Sequence, residues 1–212
     1  MNDLAAVFEG HAAQNHWGNA ESVSGDGSTL DYTHNLRHEL PKFVRAFRVV
    51  SLFDAPCGDF NWMRAVEFPN GFQYTGGDIV AALVEAASAR YEAPGRKFQR
   101  FDVTSDIFPD ADLWLCRDCL FHLPSDSILA ALRSFAQSRI GFMMTTTHLN
   151  VSNFDNSEVA AGGFRLLDLY KPPYRLPREV LFRIADYVHP YPARELCVWS
   201  RAQVSAAVGG RG

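Results

Sequence analysis

Short apolar runs alternate with helical patterns through most of the chain. The runs are rich in β-branched and aromatic residues and predict five buried strands, at residues 49–56, 72–80, 97–105, 112–120 and 139–149. Apolar residues at helical spacing, or runs of good helix formers, predict helices at 32–47, 81–91 and 125–138. Strands that alternate with helices indicate a doubly wound α/β fold with a mostly parallel sheet.

The two ends of the chain and residues 150–177 do not follow this alternation. The first 30 residues are rich in Gly, Ser, Asn and Asp, so we expect them to be irregular. Residues 150–177 carry paired glycines and paired prolines, and this pattern predicts a long functional loop. Two strand-like runs then flank the segment HPYPA and predict an antiparallel pair at the sheet edge. The final VGGRG is expected to be disordered.

Length and composition indicate one domain. The chain has 212 residues, of which 47% are apolar and 21% are charged. Its predicted parts are an N-terminal lid and helix (1–48), a central core (49–149), and a loop with a C-terminal hairpin (150–212). The net charge of −4 gives no general attraction to nucleic acid. No membrane span or signal peptide is recognisable, so we expect a cytoplasmic protein that binds neither nucleic acid nor membrane.

The four cysteines do not indicate a disulfide framework or a metal site. Three of them lie in apolar runs, where a free thiol behaves as a small core residue. Cys116 and Cys119 form a C-x-x-C pair, but a zinc site normally needs a second pair at suitable spacing. We therefore expect core packing and no metal.

Acidic residues close the predicted strands. Asp54, Asp78 and Asp102 are each 24 residues apart, about one strand–helix repeat, and Asp118 follows near the end of the fourth strand. A single Asp at such a place is often only a turn former or a helix cap. Several acids on one rim indicate a ligand site, because ligands of open α/β sheets bind at the carboxyl ends of the strands. No G-x-G-x-x-G or G-x-x-x-x-G-K-[ST] motif is present, which disfavours a dinucleotide or a nucleoside triphosphate.

Four segments resemble motifs of class I S-adenosylmethionine-dependent methyltransferases. They are FDAPCGDFNWM (motif I), YTGGDIV (motif II), RFDVTSD (motif III) and DADLWLCRDCLFHLP (motif IV), and they follow in the family's order within residues 49–149. The resemblance implies S-adenosylmethionine as cofactor and a Rossmann-like, mostly parallel seven-stranded sheet with an antiparallel C-terminal hairpin. Motif I departs from the family pattern at Pro56 and Cys57, where glycine is common, so this loop is expected to be stiffer.

The resemblance also implies roles for individual residues. Asp78 would accept hydrogen bonds from the ribose hydroxyls, and Asp102 with Val103 would face the adenine. Gly58 and its neighbours would lie under the methionine part, with Asp54 and either Arg117 or Asp118 at its amino-acid end. The position of Arg37, on the helix before motif I, separately indicates a pairing with the methionine carboxylate; the alternative is a solvated helical arginine. The full predicted cofactor-binding set is Arg37, Asp54, Pro56, Cys57, Gly58, Asp59, Asp78, Ile79, Asp102, Val103, Arg117 and Asp118.

Two histidines are candidate general bases. His122 and His148 follow the fourth and fifth strands on the ligand-binding rim, and histidine can take up a proton near neutral pH. The alternative for His122 is a turn-closing residue before Pro124. The acceptor pocket is expected to be lined from the loop after the fifth strand, by Asn153, Phe154, Asp155, Phe164, Arg165, Tyr170 and Tyr174.

Two features of the N-terminal part have open alternatives. Trp17 is either a lid over the active site or a plain hydrophobic anchor. The segment Ser24–Ser28, SGDGS, either binds an anion through its backbone amides or is a flexible loop.

The sequence therefore predicts methyl transfer from S-adenosylmethionine to an oxygen or nitrogen of a small molecule or of a glycan sugar. The alternatives are a nicotinamide-dependent oxidoreductase and a non-catalytic cofactor-binding relative. The sequence leaves the acceptor and the oligomeric state open.

Overall fold

A computed structural model describes residues 4–209. Its elements are α1 (Leu4–Ala13), α2 (His34–Ala46), β1 (Ser51–Asp54), β2 (Gln73–Asp78), α3 (Ala81–Tyr91), β3 (Arg96–Arg100), β4 (Leu113–Cys116), α4 (Ser125–Gln137), β5 (Phe142–His148), β6 (Phe182–Ala185), β7 (Arg194–Ser200) and α5 (Arg201–Gly209). The seven strands form one sheet in the order β3-β2-β1-β4-β5-β7-β6. Strands β1 to β5 are parallel, whereas β7 is antiparallel to β5 and β6. The predicted α/β class and the antiparallel C-terminal hairpin are confirmed.

The sheet is buried on both faces by helices. Alternate residues of a strand point to opposite faces, and Phe53 packs with one hydrophobic cluster while Leu52 packs with the other. The first cluster includes α4 and α5, and the second includes α2 and α3. All four residues of β4 are buried, which explains why this central strand has a continuous apolar sequence.

The predictions for both ends of the chain are wrong in part, because each end forms a helix. The first 30 residues are not all irregular, because α1 forms and packs Leu4 and Phe8 against the first cluster. The run after HPYPA does not continue as a strand beyond Ser200, since α5 begins at Arg201 and buries Val204 and Val208. Residues 208–209 of the tail predicted to be disordered are helical, and residues 210–212 lie outside the described residues.

The strands end earlier than predicted. Asp54, Asp78 and His148 are the last residues of β1, β2 and β5, whereas Asp102, Arg117 and Asp118 lie in the loops beyond their strands. β3 ends at Arg100, after which Asp102 Oδ1 accepts a hydrogen bond from the Thr104 amide at 2.8 Å and forms a turn. β4 ends at Cys116, just before Arg117. Residues 150–177 contain no helix or strand, as predicted. The division of the chain into three parts stays a prediction.

Candidate functional site

A cavity of about 310 Å³ opens at the carboxyl ends of the parallel strands. The predicted site residues that line it are Asp54, Pro56, Cys57, Gly58, Asp78, Ile79, Asp102, Val103, Arg117, Asp118 and His122. Arg37, Asp59 and His148 do not line it. The topology thus brings together the acids that are 24 residues apart in sequence, while the role of each residue stays a prediction.

Asp78 holds the loop after β1 against the start of α3. Its Oδ2 accepts a hydrogen bond from the Gly58 amide at 2.9 Å, and its Oδ1 accepts one from the Val80 amide at 3.0 Å. Burial raises the pKa of the Asp78 carboxyl, and the backbone amides oppose that effect. Gly58 has a φ of +55°, which favours glycine, and a side chain there would force Ser24 Oγ to move.

Asp54 is a buried acid at the end of β1. Tyr74 donates a hydrogen bond from its hydroxyl to Asp54 Oδ2 at 2.7 Å. Burial raises the pKa of Asp54 to about 7, against the effect of the Tyr74 hydrogen bond. The cavity wall therefore contains a carboxyl group that is partly protonated near neutral pH.

Two buried ion pairs form the wall beyond β4. Arg117 binds Asp186 through Nε at 2.8 Å and Nη2 at 3.0 Å, and Arg194 Nη2 donates to Asp118 Oδ2 at 2.7 Å. Burial alone would raise the pKa of Asp118, but Arg117 and Arg194 lower it further than burial raises it. Sequence reasoning missed Asp186 and Arg194, which flank the tip of the C-terminal hairpin, because no local motif marks them.

His122 lines the cavity with one ring nitrogen held by a backbone carbonyl. Its Nδ1 lies 2.7 Å from the Gly163 carbonyl oxygen, so Nδ1 carries the proton and Nε2 keeps its lone pair. Burial lowers the pKa of His122, which favours the neutral imidazole. His122 is therefore both neutral and in contact with the cavity.

His148 has the opposite tautomer. Its Nδ1 accepts a hydrogen bond from the Leu167 amide at 3.1 Å, so the proton lies on Nε2, which has no hydrogen-bond partner among residues 4–209. Burial lowers the pKa of His148 to about 4. The lone pair of this histidine is already in use and its ring does not line the cavity, so the geometry disfavours it as a base.

The N-terminal segment covers the cavity. Leu4, Phe8, Trp17 and the turn Ser24–Ser28 all line it. Asp59, which was predicted to contact the cofactor, instead accepts a hydrogen bond at Oδ2 from the Val23 amide at 3.1 Å and fastens this cover. The other predicted cofactor-binding residue outside the cavity, Arg37, donates from Nη2 to the Leu30 carbonyl at 2.8 Å.

The loop after β5 contributes less to the cavity than predicted. Of the seven residues expected to line an acceptor pocket, only Phe164 lines the cavity. Arg165 is buried and donates hydrogen bonds to the carbonyls of Leu123 at 2.7 Å and Ser157 at 2.8 Å. The prediction is wrong for the other six: Tyr174 and Arg165 are buried, and Asn153, Phe154 and Asp155 contact Lys171 within the same loop.

Known proteins share this fold. No protein-family model and no curated relative matches the sequence. Magnesium protoporphyrin IX methyltransferase from Synechocystis, solved with bound S-adenosylmethionine, has a TM-score of 0.65 and 12% identity over 93% of this chain and 97% of that one. The methyltransferase domain of bacterial CtHen1 has a TM-score of 0.56 and 14% identity over 80% of this chain and 99% of that one. Mitomycin 7-O-methyltransferase MmcR has a TM-score of 0.55 and 17% identity over 92% and 67%.

The chain has the class I methyltransferase fold. At these identities the likeness concerns the fold. Within residues 4–209, no group of three or more His, Cys, Asp or Glu side chains is arranged to hold a metal ion. No helix of that part is long and apolar enough to cross a membrane.

Proposed function

We propose that this chain is an S-adenosylmethionine-dependent methyltransferase that acts on an oxygen or nitrogen of a small molecule or of a glycan sugar. The observation that carries the proposal is the cavity at the carboxyl ends of the strands, where Asp54, Asp78 and Asp102 line one rim. Its volume of about 310 Å³ lies at the lower end of the range of about 300–1,000 Å³ for small-molecule sites.

The residues present fit the cofactor's polar groups. Each oxygen of Asp78 accepts one backbone hydrogen bond and keeps a further lone pair, so the carboxylate can also accept from both hydroxyls of a ribose. Asp102 and Val103 follow β3 and would face the adenine, while Gly58 allows close approach of the backbone to the methionine part. Asp54 and Asp118 would lie at the amino-acid end.

The side chains around His122 suit the binding and deprotonation of a methyl acceptor. S-adenosylmethionine supplies an electrophilic methyl group when it is bound. His122 Nε2 can take the proton that the acceptor oxygen or nitrogen releases, because Nδ1 is fixed on the Gly163 carbonyl. Trp17, Phe121 and Phe164 line the cavity near this histidine and would exclude water from it.

The cover over the cavity favours a small acceptor. α1 and the turn Ser24–Ser28 line the cavity from the N-terminal side, so a nucleotide within a duplex has no open groove to enter. The net charge of −4 also gives no general attraction to nucleic acid. A small molecule or a single sugar at a glycan end fits this enclosure.

Calorimetry tests the cofactor class. The wild-type protein is titrated with S-adenosylhomocysteine and, separately, with NAD. Binding of the first compound alone supports a methyltransferase, whereas binding of NAD alone contradicts the proposal and favours an oxidoreductase. A screen of metabolites and glycans for S-adenosylhomocysteine release then identifies the acceptor, and cofactor binding without turnover on any acceptor would favour a non-catalytic relative.

A further inference from the structure

Four ring-bearing side chains form one wall of the cavity. The ring centroid of His122 lies 4.5 Å from that of Phe121 and 6.0 Å from that of Trp17. The Phe164 ring lies 6.2 Å from His122 and 5.5 Å from Phe121. All four residues line the cavity, and we call them the aromatic wall. The N-terminal cover, the turn after β4 and the loop after β5 each place a ring against His122.

The aromatic wall offers a ligand few polar atoms. The two phenylalanine rings have none, and His122 Nδ1 is already bound to the Gly163 carbonyl. Within these four side chains, His122 Nε2 and the indole N–H of Trp17 are the atoms left for a hydrogen bond. A ligand at this wall therefore needs a mainly apolar body and one polar group for His122.

Neighbouring residues extend the apolar surface. Leu4 and Phe8 of α1 line the cavity, and they pack against the hydrophobic cluster that contains Phe121 and Leu123. Aromatic and aliphatic carbon atoms thus cover this end of the cavity from α1 to the turn after β4. Such a lining holds the body of a ligand through its loss of contact with water.

Charged acceptors and sugars match this end poorly. Asp118 and Arg194, whose charges act on His122, bind each other at 2.7 Å, so their charges offset each other. A sugar has several hydroxyl groups, and a hydroxyl that leaves water without gaining a protein partner is unfavourable. A flat ring with one hydroxyl directs that group to Nε2 and packs against the wall in the stacked or edge-on arrangements that aromatic pairs prefer.

The histidine also selects the kind of hydroxyl. Burial lowers the pKa of His122, which makes it a weaker base than an exposed histidine. A weak base takes a proton more readily from a stronger acid. A phenolic hydroxyl has a pKa of about 10, as in tyrosine, and a sugar or aliphatic hydroxyl is a much weaker acid. The phenol is therefore the better match.

We propose that the acceptor is a phenol, an uncharged aromatic ring that packs against the aromatic wall and directs its hydroxyl to His122 Nε2. This inference rests on the proposed function and narrows its acceptor to one class. Phe164 is the specificity-determining residue best suited to a test. It is 55% exposed, so its ring can be changed with little effect on the core.

Matched probes separate the aromatic ring from the rest of the acceptor. Calorimetry titrates 4-methylphenol, 4-methylcyclohexanol and methyl glucoside into protein saturated with S-adenosylhomocysteine. The first two carry the same substituents and differ in the aromaticity of the ring. A larger pair, 2-naphthol and decahydro-2-naphthol, makes the same comparison.

Matched variants separate the aromatic wall from the rest of the loop. Phe164→Leu removes one ring and keeps an apolar side chain, and Trp17→Leu does the same from the N-terminal cover. Phe154→Leu is the control, because Phe154 lies in the same loop as Phe164 but does not line the cavity.

Wild-type protein should bind at least one of the two phenols about tenfold more tightly than its saturated counterpart, and should not bind the glucoside at the same concentrations. Phe164→Leu should weaken binding of that phenol about threefold to tenfold, and binding of the saturated counterpart by less than about twofold. Phe154→Leu should change neither affinity. The melting temperature of Phe164→Leu should equal that of the wild type, because the lost ring is exposed.

Three results would overturn the inference: no binding of either phenol, equal binding of each phenol and its saturated counterpart, or tighter binding of the glucoside. A preference for the phenol that survives unchanged in both Phe164→Leu and Trp17→Leu would overturn it as well. Failure of the proposed function looks different, because wild-type protein then does not bind S-adenosylhomocysteine. In that case the phenols are titrated into ligand-free protein, where a preference that depends on Phe164 supports a phenol site and the lack of one overturns it.

Discussion

Replacing Asp54 by asparagine should change how the stability of the fold depends on pH. The pKa of Asp54 rises from an ordinary value of 3.8 to about 7, chiefly because the carboxyl is buried. Between these values the folded protein keeps a proton that the unfolded chain has released. The free energy of unfolding therefore falls as the pH rises through this range, since the unfolded state binds fewer protons. Asparagine has no proton to lose and can still accept the hydrogen bond from Tyr74.

The size of the effect follows from the two pKa values. A difference of one pKa unit corresponds to about 1.4 kcal/mol, and about two units of the range lie above pH 5. Between pH 5 and pH 8, Asp54→Asn should therefore gain about 3 kcal/mol relative to the wild type. Urea unfolding of both proteins at several pH values measures this difference.

The matched control for Asp54→Asn is Asp110→Asn, because the Asp110 side chain is 78% exposed. Its stability relative to the wild type should change by less than about 0.5 kcal/mol over the same pH range, as for ordinary surface substitutions. A constant difference between Asp54→Asn and the wild type from pH 5 to pH 8 would refute the reasoning. It would mean that the buried carboxyl is already stabilised in its charged form.

Three further predictions concern the candidate site. Asp78→Asn should weaken S-adenosylhomocysteine binding at least about tenfold by calorimetry. It should also lower the free energy of unfolding by about 1–3 kcal/mol, because an amide group cannot accept the hydrogen bonds from both Gly58 and Val80. Unchanged affinity would contradict the ribose assignment. His122→Ala should lower turnover about 10²–10⁴-fold with cofactor affinity retained. The midpoint of the acid-side fall in wild-type kcat should lie below the ordinary histidine pKa of 6.5, because burial lowers the pKa of His122. Full turnover in the variant would exclude His122 as the base. Phe164→Ala should raise the acceptor KM without changing the melting temperature. The matched variant Arg165→Ala should lower the melting temperature, since two carbonyls lose their donor. A similar drop in melting temperature for both variants would show that the loop acts only as a cover.

The amino-acid sequence by itself determined the fold class and the rim of the cavity. The alternation of apolar runs with helical patterns is a local property, and it predicts both the parallel sheet and the final antiparallel pair. Because successive repeats of similar length return the chain to the same edge of the sheet, the spacing of Asp54, Asp78 and Asp102 predicted that they meet. Their burial and hydrogen bonds lay beyond this reasoning.

Only the tertiary structure decided which groups the other candidate site residues contact. Arg117 binds Asp186, which is 69 residues away in sequence, and Asp118 binds Arg194, which is 76 residues away. These contacts form only when the distant strands have paired in the sheet. The same packing gives His122 a carbonyl and His148 an amide as the partner of Nδ1, so two histidines that look equivalent in sequence have opposite tautomers. Such contacts depend on where distant backbone groups come to lie, and no local pattern of apolar and polar residues encodes that.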